Sequence, residues 1–205
     1  TDYDICHIGI WFLYIILQIM IETFSLVLLS SGKSSRMGKD KANLSIKNKS
    51  FYQQILETYN AVSISQQISV INNKLHLSRR TVINNYQGKG RVFSIQLGLK
   101  EVNSDWYFIQ NIDNPFITTT LLNQFINCKK NKDIIQPIFK KQKGHPILIS
   151  EKVKQRILNK KDYNLTLRDI LSEFEKQQIE VNDESVLINI NTPEDYKKYC
   201  IEKVN

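Results

Sequence analysis

The chain has 205 residues, of which 41% are apolar and 23% charged, and it carries a formal net charge of +8. That length suits one domain with a well-formed core, and the composition excludes a disordered chain. Lys and Arg are spread along the sequence and no nucleic-acid-reading motif gathers them, so nucleic acid is not an expected partner.

Residues 5–21 (ICHIGIWFLYIILQIMI) form an uncharged, almost wholly apolar run. Its length lies near the lower limit for a membrane span. It lacks the basic start and small-residue cleavage site of a secretory signal, and no Lys or Arg flanks it. The chain begins with Thr1, and Met20 stands just upstream of the first clear core strand. The expectation is that residues 1–19 are an extension preceding a natural start at Met20, and that residues 20–205 form a single domain. A membrane-associated or packing helix is the alternative for the apolar run.

Phe24–Leu29 is a short apolar run entering a Gly/Ser-rich loop, as a strand buried on both faces does. Phe51, Ile55, Leu56 and Tyr59 recur at helical spacing. Ile68–Ile71 and Thr81–Ile83 read as short strands. Val92, Ile95, Leu99 and Val102 share one helical face. Trp106–Ile112 reads as a strand ending at Asp113-Asn114-Pro115, and Leu121, Leu122, Phe125 and Ile126 mark another helix. A Lys-rich stretch, 129–143, is interrupted by the apolar Ile134–Phe139. Ile147–Ile149 predicts a strand, Val153, Ile157 and Leu158 a helix, and Leu167, Ile170, Leu171 and Phe174 another. Val186–Ile190 predicts a last strand. Thr192 then stands at an N-cap with Pro193 at the first helical position and Asp195 at the third, a capping-box arrangement. Alternating strands and helices predict an α/β fold, a mainly parallel sheet with helices on both faces. Cys6, Cys128 and Cys200 form no C-x-x-C pair and are odd in number. That argues against a disulfide framework or a zinc site and for a reducing, cytoplasmic setting.

The chemistry concentrates in Leu29-Ser-Ser-Gly-Lys-Ser-Ser-Arg-Met-Gly-Lys-Asp-Lys41. Glycines at 32 and 38 let backbone N–H groups approach a phosphate, Ser30, Ser31 and Ser34 add hydroxyl donors, and Arg36 and Lys41 supply positive charge. Gly32-Lys33-Ser34 is not a Walker A motif, because the glycine required five positions before Gly32 is Val27.

This string resembles L-A-A-G-x-S-x-R-M-G-x-x-K, the signature loop of the MobA/MocA-like nucleotidyltransferases that load molybdenum cofactor with GMP or CMP, with Ser30 and Ser31 in place of two alanines. Further segments resemble the same family. Asn85, Gly90, Ser94, Gly98 and Leu99 match N-x(4)-G-x(3)-S-x(3)-G-L, a nucleotide-binding segment. Asp113-Asn114-Pro115-Phe116 is similar to D-Q-P-F, whose aspartate binds Mg²⁺. Gly144-His145-Pro146 resembles the G-H-P of the cytidylyltransferase branch and implies an acceptor-side role for His145. Asn189-Ile-Asn191-Thr-Pro-Glu-Asp resembles the closing segment, with Asn at two positions that are acidic in that branch and where the guanylyltransferase branch tolerates Asn, so His145 and the two asparagines point to different branches.

The resemblance implies a Rossmann-like, three-layer α/β/α fold of the nucleotide-diphospho-sugar transferase type. It implies a Mg²⁺-dependent nucleotidyltransferase that moves NMP from CTP or GTP to a phosphorylated acceptor, molybdopterin or molybdenum cofactor, with release of pyrophosphate. Nucleotide contacts fall to Leu29, Ser30, Ser31, Gly32, Ser34, Arg36, Lys41, Asn85 and Ser94; Arg36, Lys41 and Asp113 are the expected catalytic groups; Asp113, Asn189 and Asn191 are the expected metal ligands. A sugar-phosphate or other metabolite acceptor, or a silent nucleotide-binding module of the same fold, are the alternatives.

Overall fold

The computed structural model describes residues 22–32, 36–72, 80–128, 132–160 and 165–202. The apolar run 5–21 and Ser34 lie outside the described residues. Among the described residues, no helix is long and apolar enough to cross a membrane.

The central strand β1 spans Phe24–Ser30, and all seven of its residues are buried. A small hairpin, β2 (Ser45–Ile46) and β3 (Lys49–Ser50), turns through Lys47 at φ 54°. It leads into α1 (Phe51–Asn60), where the Ser50 side chain and Gln53 form a reciprocal capping box. Strands β4 (Gln66–Ile71) and β5 (Thr81–Ile83) extend the sheet in parallel beyond β1. Helix α2 (Gly90–Lys100) then carries the chain back across β1 to β6 (Trp106–Asn111), which pairs with β1 in parallel on its other side. After α3 (Thr119–Cys128) come β7 (Ile134–Phe139), the short β8 (Gln142–Lys143) and β9 (Ile147–Ser150). Helices α4 (Glu151–Leu158) and α5 (Leu167–Ser172), strand β10 (Lys176–Glu180) and the short helix α6 (Pro193–Tyr196) follow, and α6 runs on into a π-helical segment, Lys197–Glu202.

The strand order is β10-β7-β9-β6-β1-β4-β5. The sheet is parallel from β5 to β6 and mixed beyond, because β9 runs antiparallel to both β6 and β7. The chain leaves β1 for one side and returns on the other, so β1 and β6 flank a topological switch point, the place where open α/β sheets hold ligands.

Alternation along β1 divides the core. Phe24, Leu26 and Leu28 meet α1 and α3 on one face. There Phe108 stacks on Phe125 at 5.9 Å and meets Tyr59 edge-on at 5.3 Å. Val27 and Leu29 meet Val92, Ile95 and Leu99 of α2 on the other face, with α4 and α5 beside them. Gly98 permits that approach: a Cβ there would lie 2.4 Å from Val27 Cγ1 and 2.9 Å from Val70 Cγ2.

One expected strand is absent from the sheet, and another takes its edge. Val186–Ile190 is not a sheet strand: Glu184–Leu187 forms a 3-10 turn, capped by the Asp183 carboxylate accepting from Ser185 N–H. Val186 and Ile190 are apolar because they pack into the first core cluster. The strand that does occupy the sheet edge is β10, Lys-Gln-Gln-Ile-Glu, whose half-exposed residues carry no apolar run. The Thr192–Asp195 capping box with Pro193 at the first turn forms as expected.

Candidate active site

A cavity of about 330 Å³ opens at the carboxyl ends of β1, β5 and β6. Leu29, Ser30, Ser31 and Gly32 form its floor where β1 gives way to the loop, Ile112 and Asp113 its β6 side, and Asn84, Gly90, Arg91 and Ser94 its α2 side. The backbone binds these edges together, since Ile112 N–H donates to Leu29 C=O at 3.0 Å.

Lys41 reaches into the cavity from the turn that follows the loop, where the Asp40 carboxylate accepts from Ala42 N–H. Its ammonium donates to Asn191 Oδ1 at 2.8 Å and lies 3.5 Å from Asp113 Oδ2. The lysine side chain is 11% exposed and the aspartate 25%, so the pair sits in a partly desolvated place where charge interactions outweigh those at a free surface. Asp113 Oδ1 is buried and has no hydrogen-bond partner. An ionised carboxylate oxygen left so is costly unless a donor or cation arrives. Ser30 Oγ, at the end of β1, is likewise buried and unpartnered.

Ser31 is held differently. Its hydroxyl shares a 2.9 Å hydrogen bond with Ser94 Oγ, which also accepts from Asn84 Nδ2 at 2.9 Å. Asn84 Oδ1 in turn accepts from Tyr86 N–H at 2.8 Å and shapes the loop into α2. Sequence spacing had selected Asn85, yet Asn85 is exposed and does not line the cavity, whereas its neighbour Asn84 is buried and does. Two consecutive asparagines fit the segment's spacing with a one-residue change of loop length, which periodicity does not resolve. Arg36 is exposed in the turn around Gly38 (φ 66°) and is not among the cavity's lining residues.

Arg91 is a site residue that motif spacing missed, although it directly follows Gly90. Its Nη2 donates to Asn111 Oδ1 at 2.9 Å, and it lines the cavity. His145 follows Gly144, whose tight packing leaves no room for a side chain: a Cβ there would lie 2.8 Å from the Val186 carbonyl oxygen. The His145 N–H donates to that same carbonyl at 2.9 Å. Burial pushes the imidazole down to about 4, the charge of Arg91 adds to the effect and Asp113 opposes it, and Nδ1 has no partner. His145 is therefore neutral at pH 7.

The closing segment is clamped to the end of β6. Asn114 Nδ2 donates to the carbonyls of Ser185 (3.1 Å) and Ile188 (2.6 Å), and Ile190 N–H donates to Asp113 C=O at 2.7 Å. The Asp195 carboxylate accepts from Asn191 N–H and Thr192 N–H, both at 2.9 Å, and these backbone bonds hold it below the usual carboxylate range. Asn191 is thereby fixed beside Lys41. Asn189 is not brought to the site: its amide donates to Leu187 C=O, and it lines a separate cavity with Phe139 and Tyr199. Successive residues of an extended segment point opposite ways, so Asn189 and Asn191 share a side only if their segment is regular; the turn into α6 breaks that regularity.

The donor set at this end of β6 suits a hard, oxygen-seeking cation. Asp113 offers a carboxylate oxygen with no protein partner, and the Asn191 carbonyl oxygen lies across Lys41 from it. Among the described residues, no group of three or more His, Cys, Asp or Glu side chains forms an all-protein cage. A cation held by one or two protein oxygens, with water and phosphate completing its shell, fits such a sparse set.

The sequence matches the MobA-like NTP transferase domain over residues 26–179. It is 30% identical to a probable molybdenum cofactor guanylyltransferase of Natranaerobius thermophilus, over 87% of this chain and 96% of that protein. It is 25% identical to the molybdenum cofactor guanylyltransferase of Campylobacter jejuni, over 89% and 98%. Among solved structures, the fold resembles a nucleotidyl transferase of Methanothermobacter with a TM-score of 0.73 at 15% identity, covering 87% of this chain and 96% of that one. It also resembles molybdopterin-guanine dinucleotide biosynthesis protein A of Archaeoglobus fulgidus, with a TM-score of 0.66 at 17% identity, covering 85% and 95%. The chain belongs to the MobA-like NTP transferase family and is a nucleotidyltransferase of the nucleotide-diphospho-sugar transferase fold.

Proposed function

We propose that this protein transfers GMP from GTP to the phosphate of molybdopterin in a Mg²⁺-dependent reaction that releases pyrophosphate. The observation that carries the chemistry is the orphaned Asp113 Oδ1, set across the cavity from the β1 turn and beside Lys41. The names of the relatives favour GTP over CTP. Both described cysteines, Cys128 and Cys200, are free, in keeping with a cytoplasmic enzyme.

A phosphate oxygen of the acceptor attacks the α-phosphorus of GTP, a new P–O bond forms, and the bond to the β-phosphate breaks. No covalent enzyme intermediate is needed; positioning and neutralisation of charge are the protein's tasks. Backbone N–H groups around Gly32 and the Ser30 hydroxyl face the triphosphate, with Ser31 already locked by Ser94 and Asn84. Lys41 exchanges Asn191 for a phosphate oxygen. Asp113 would hold Mg²⁺, with Asn191 the second candidate ligand once Lys41 has moved, and the ion would supply Lewis-acid stabilisation of the phosphoryl oxygens.

Pyrophosphate release, measured with molybdopterin, Mg²⁺ and each of GTP, CTP, ATP and UTP, tests this directly. GTP should exceed the others at least ten-fold in kcat/KM. A preference for CTP would overturn the base assignment. Release only with sugar phosphates would overturn the acceptor, and GTP binding with no release under any condition would make the chain a silent binder.

A further inference from the structure

We propose that Arg91 is the anchor for the acceptor's phosphate, the group that becomes the nucleophile. The inference rests on the transferase reading above and adds to it a subsite and a residue.

Two anions must meet in this reaction, and each needs its own positive partner. On the triphosphate side, Lys41 rises from the loop that follows β1. Arg91 enters from a different element, the first turn of α2, and its side chain crosses to β6, where Nη2 is held on Asn111 Oδ1 at 2.9 Å. Asn111 is paired with Leu29 of β1 on one side. On the other side, β6 pairs with β9 as far as Ile109 and Ile147, two residues short of Asn111 and of His145. Arg91 is thus held on the last residue of β6, two positions before Asp113, in the cavity that the β1 turn also lines. Its effect on the His145 imidazole agrees with that placement.

One hydrogen bond to Asn111 leaves four of the five guanidinium N–H groups available, and the residue remains solvent-accessible on the cavity wall. A planar guanidinium with unused N–H groups is suited to two oxygens of a phosphate monoester. Neutral His145, with an unpartnered Nδ1, adds a polar contact without adding charge. The dianion of a phosphate monoester needs no base to attack, so an anchor that fixes its approach to the α-phosphorus is the contribution this wall has to make.

The test separates the two anions. Equilibrium binding of GTP with Mg²⁺, without acceptor, is measured for wild type, Arg91→Gln and Arg91→Lys, and KM for molybdopterin is measured at saturating GTP. Arg91→Gln should keep its GTP Kd within two-fold of wild type while KM for molybdopterin rises at least ten-fold, and Arg91→Lys should recover part of that loss. A GTP Kd that rises ten-fold with an unchanged acceptor KM would make Arg91 a triphosphate ligand and overturn the proposal. So would no change in either constant. Should wild type release no pyrophosphate with molybdopterin, the acceptor reading fails on its own. The anchor is then tested with inorganic phosphate added to the protein saturated with a non-hydrolysable GTP analogue: phosphate should raise the Tm of wild type and not of Arg91→Gln, and equal shifts would overturn it.

Discussion

The sharpest information at the residue scale lies in polar atoms that lack partners. Asp113 Oδ1, Ser30 Oγ and His145 Nδ1 are all buried and unpaired. Interiors rarely tolerate such groups without a ligand, water or functional reason. All three residues stand in strings that resemble the family's motifs, because an Asp-Asn-Pro strand end, a Gly/Ser turn and a Gly-His-Pro string are local. Sequence spacing did not identify Arg91, Asn111 or the choice of Asn84 over Asn85, because those depend on which side chains meet across α2 and β6. The depressed His145 imidazole makes a prediction with a definite sign. An unfolded histidine titrates near 6.5, and the folded one at about 4, so between these values the unfolded chain binds the extra proton. Neither state is protonated above that window, and stability should fall as pH drops through it. At pH 5 the penalty is on the order of 2 kcal/mol, from about one and a half units at ~1.4 kcal/mol each. Thermal unfolding of ligand-free wild type and His145→Gln from pH 7.5 to pH 5 checks this: the wild type should lose several degrees more than the variant. Parallel losses would mean that His145 titrates normally.

The same contrast between local and distant information holds for elements. Helices α1, α2 and α3 and strands β1, β4, β5 and β6 were legible, because each has an apolar pattern of the right period or a run flanked by turn residues. Strand β7 was obscured by Pro137. The structure accommodates that proline beyond the end of the β7–β9 ladder at Ile135 and Leu148: its carbonyl accepts from Gly144 N–H at 2.8 Å, and Ile179 of β10 pairs with it on the other side. Strand β10 was illegible because a half-exposed edge strand needs no apolar run. Glycine at 98 was legible as part of a motif, though its reason was not: it lets α2 settle on β1 and β4. Alanine there would gain up to about 1 kcal/mol of helix propensity. Its Cβ would also press on Val27 Cγ1 at 2.4 Å, against a β-branched side chain in a fully buried strand. Overpacking typically costs ~1–3 kcal/mol, so the clash should win. Denaturant melts should show Gly98→Ala less stable than wild type, with part of the loss recovered in Gly98→Ala/Val27→Ala. A more stable single variant would mean that α2 lifts off the sheet at no cost.

For the whole molecule, topology is what turns scattered residues into one site. Ser30, Asn84 and Asp113 are far apart in sequence, yet all lie at carboxyl ends of parallel strands around the β1–β6 switch point. A net charge of +8 favours the approach of two anionic substrates without specifying either. The closing segment is held at the site by its clamp on Asn114 and Asp113, so the site is assembled by the fold and is absent from the unfolded chain. Ligands that bind only the folded state stabilise it by mass action, by ~2.7 kcal/mol at one hundred times Kd. For a chain of this length, each kcal/mol raises Tm by roughly 2–4 °C, so GTP with Mg²⁺ at that excess should raise it by about 5–10 °C. Part of this shift should depend on the cation, and that part should run through Asp113. Asp113→Ala should therefore keep the smaller shift given by GTP in EDTA and lose the increment that Mg²⁺ adds. The substitution also frees Lys41 from its carboxylate neighbour, 3.5 Å away, and removes a negative charge from the triphosphate's surroundings, so binding of metal-free GTP should be equal or tighter. Differential scanning fluorimetry of wild type and Asp113→Ala, with GTP in EDTA and in Mg²⁺, distinguishes the two contributions. A Mg²⁺ increment of the same size in both proteins would place the cation on the nucleotide alone and remove Asp113 from its coordination.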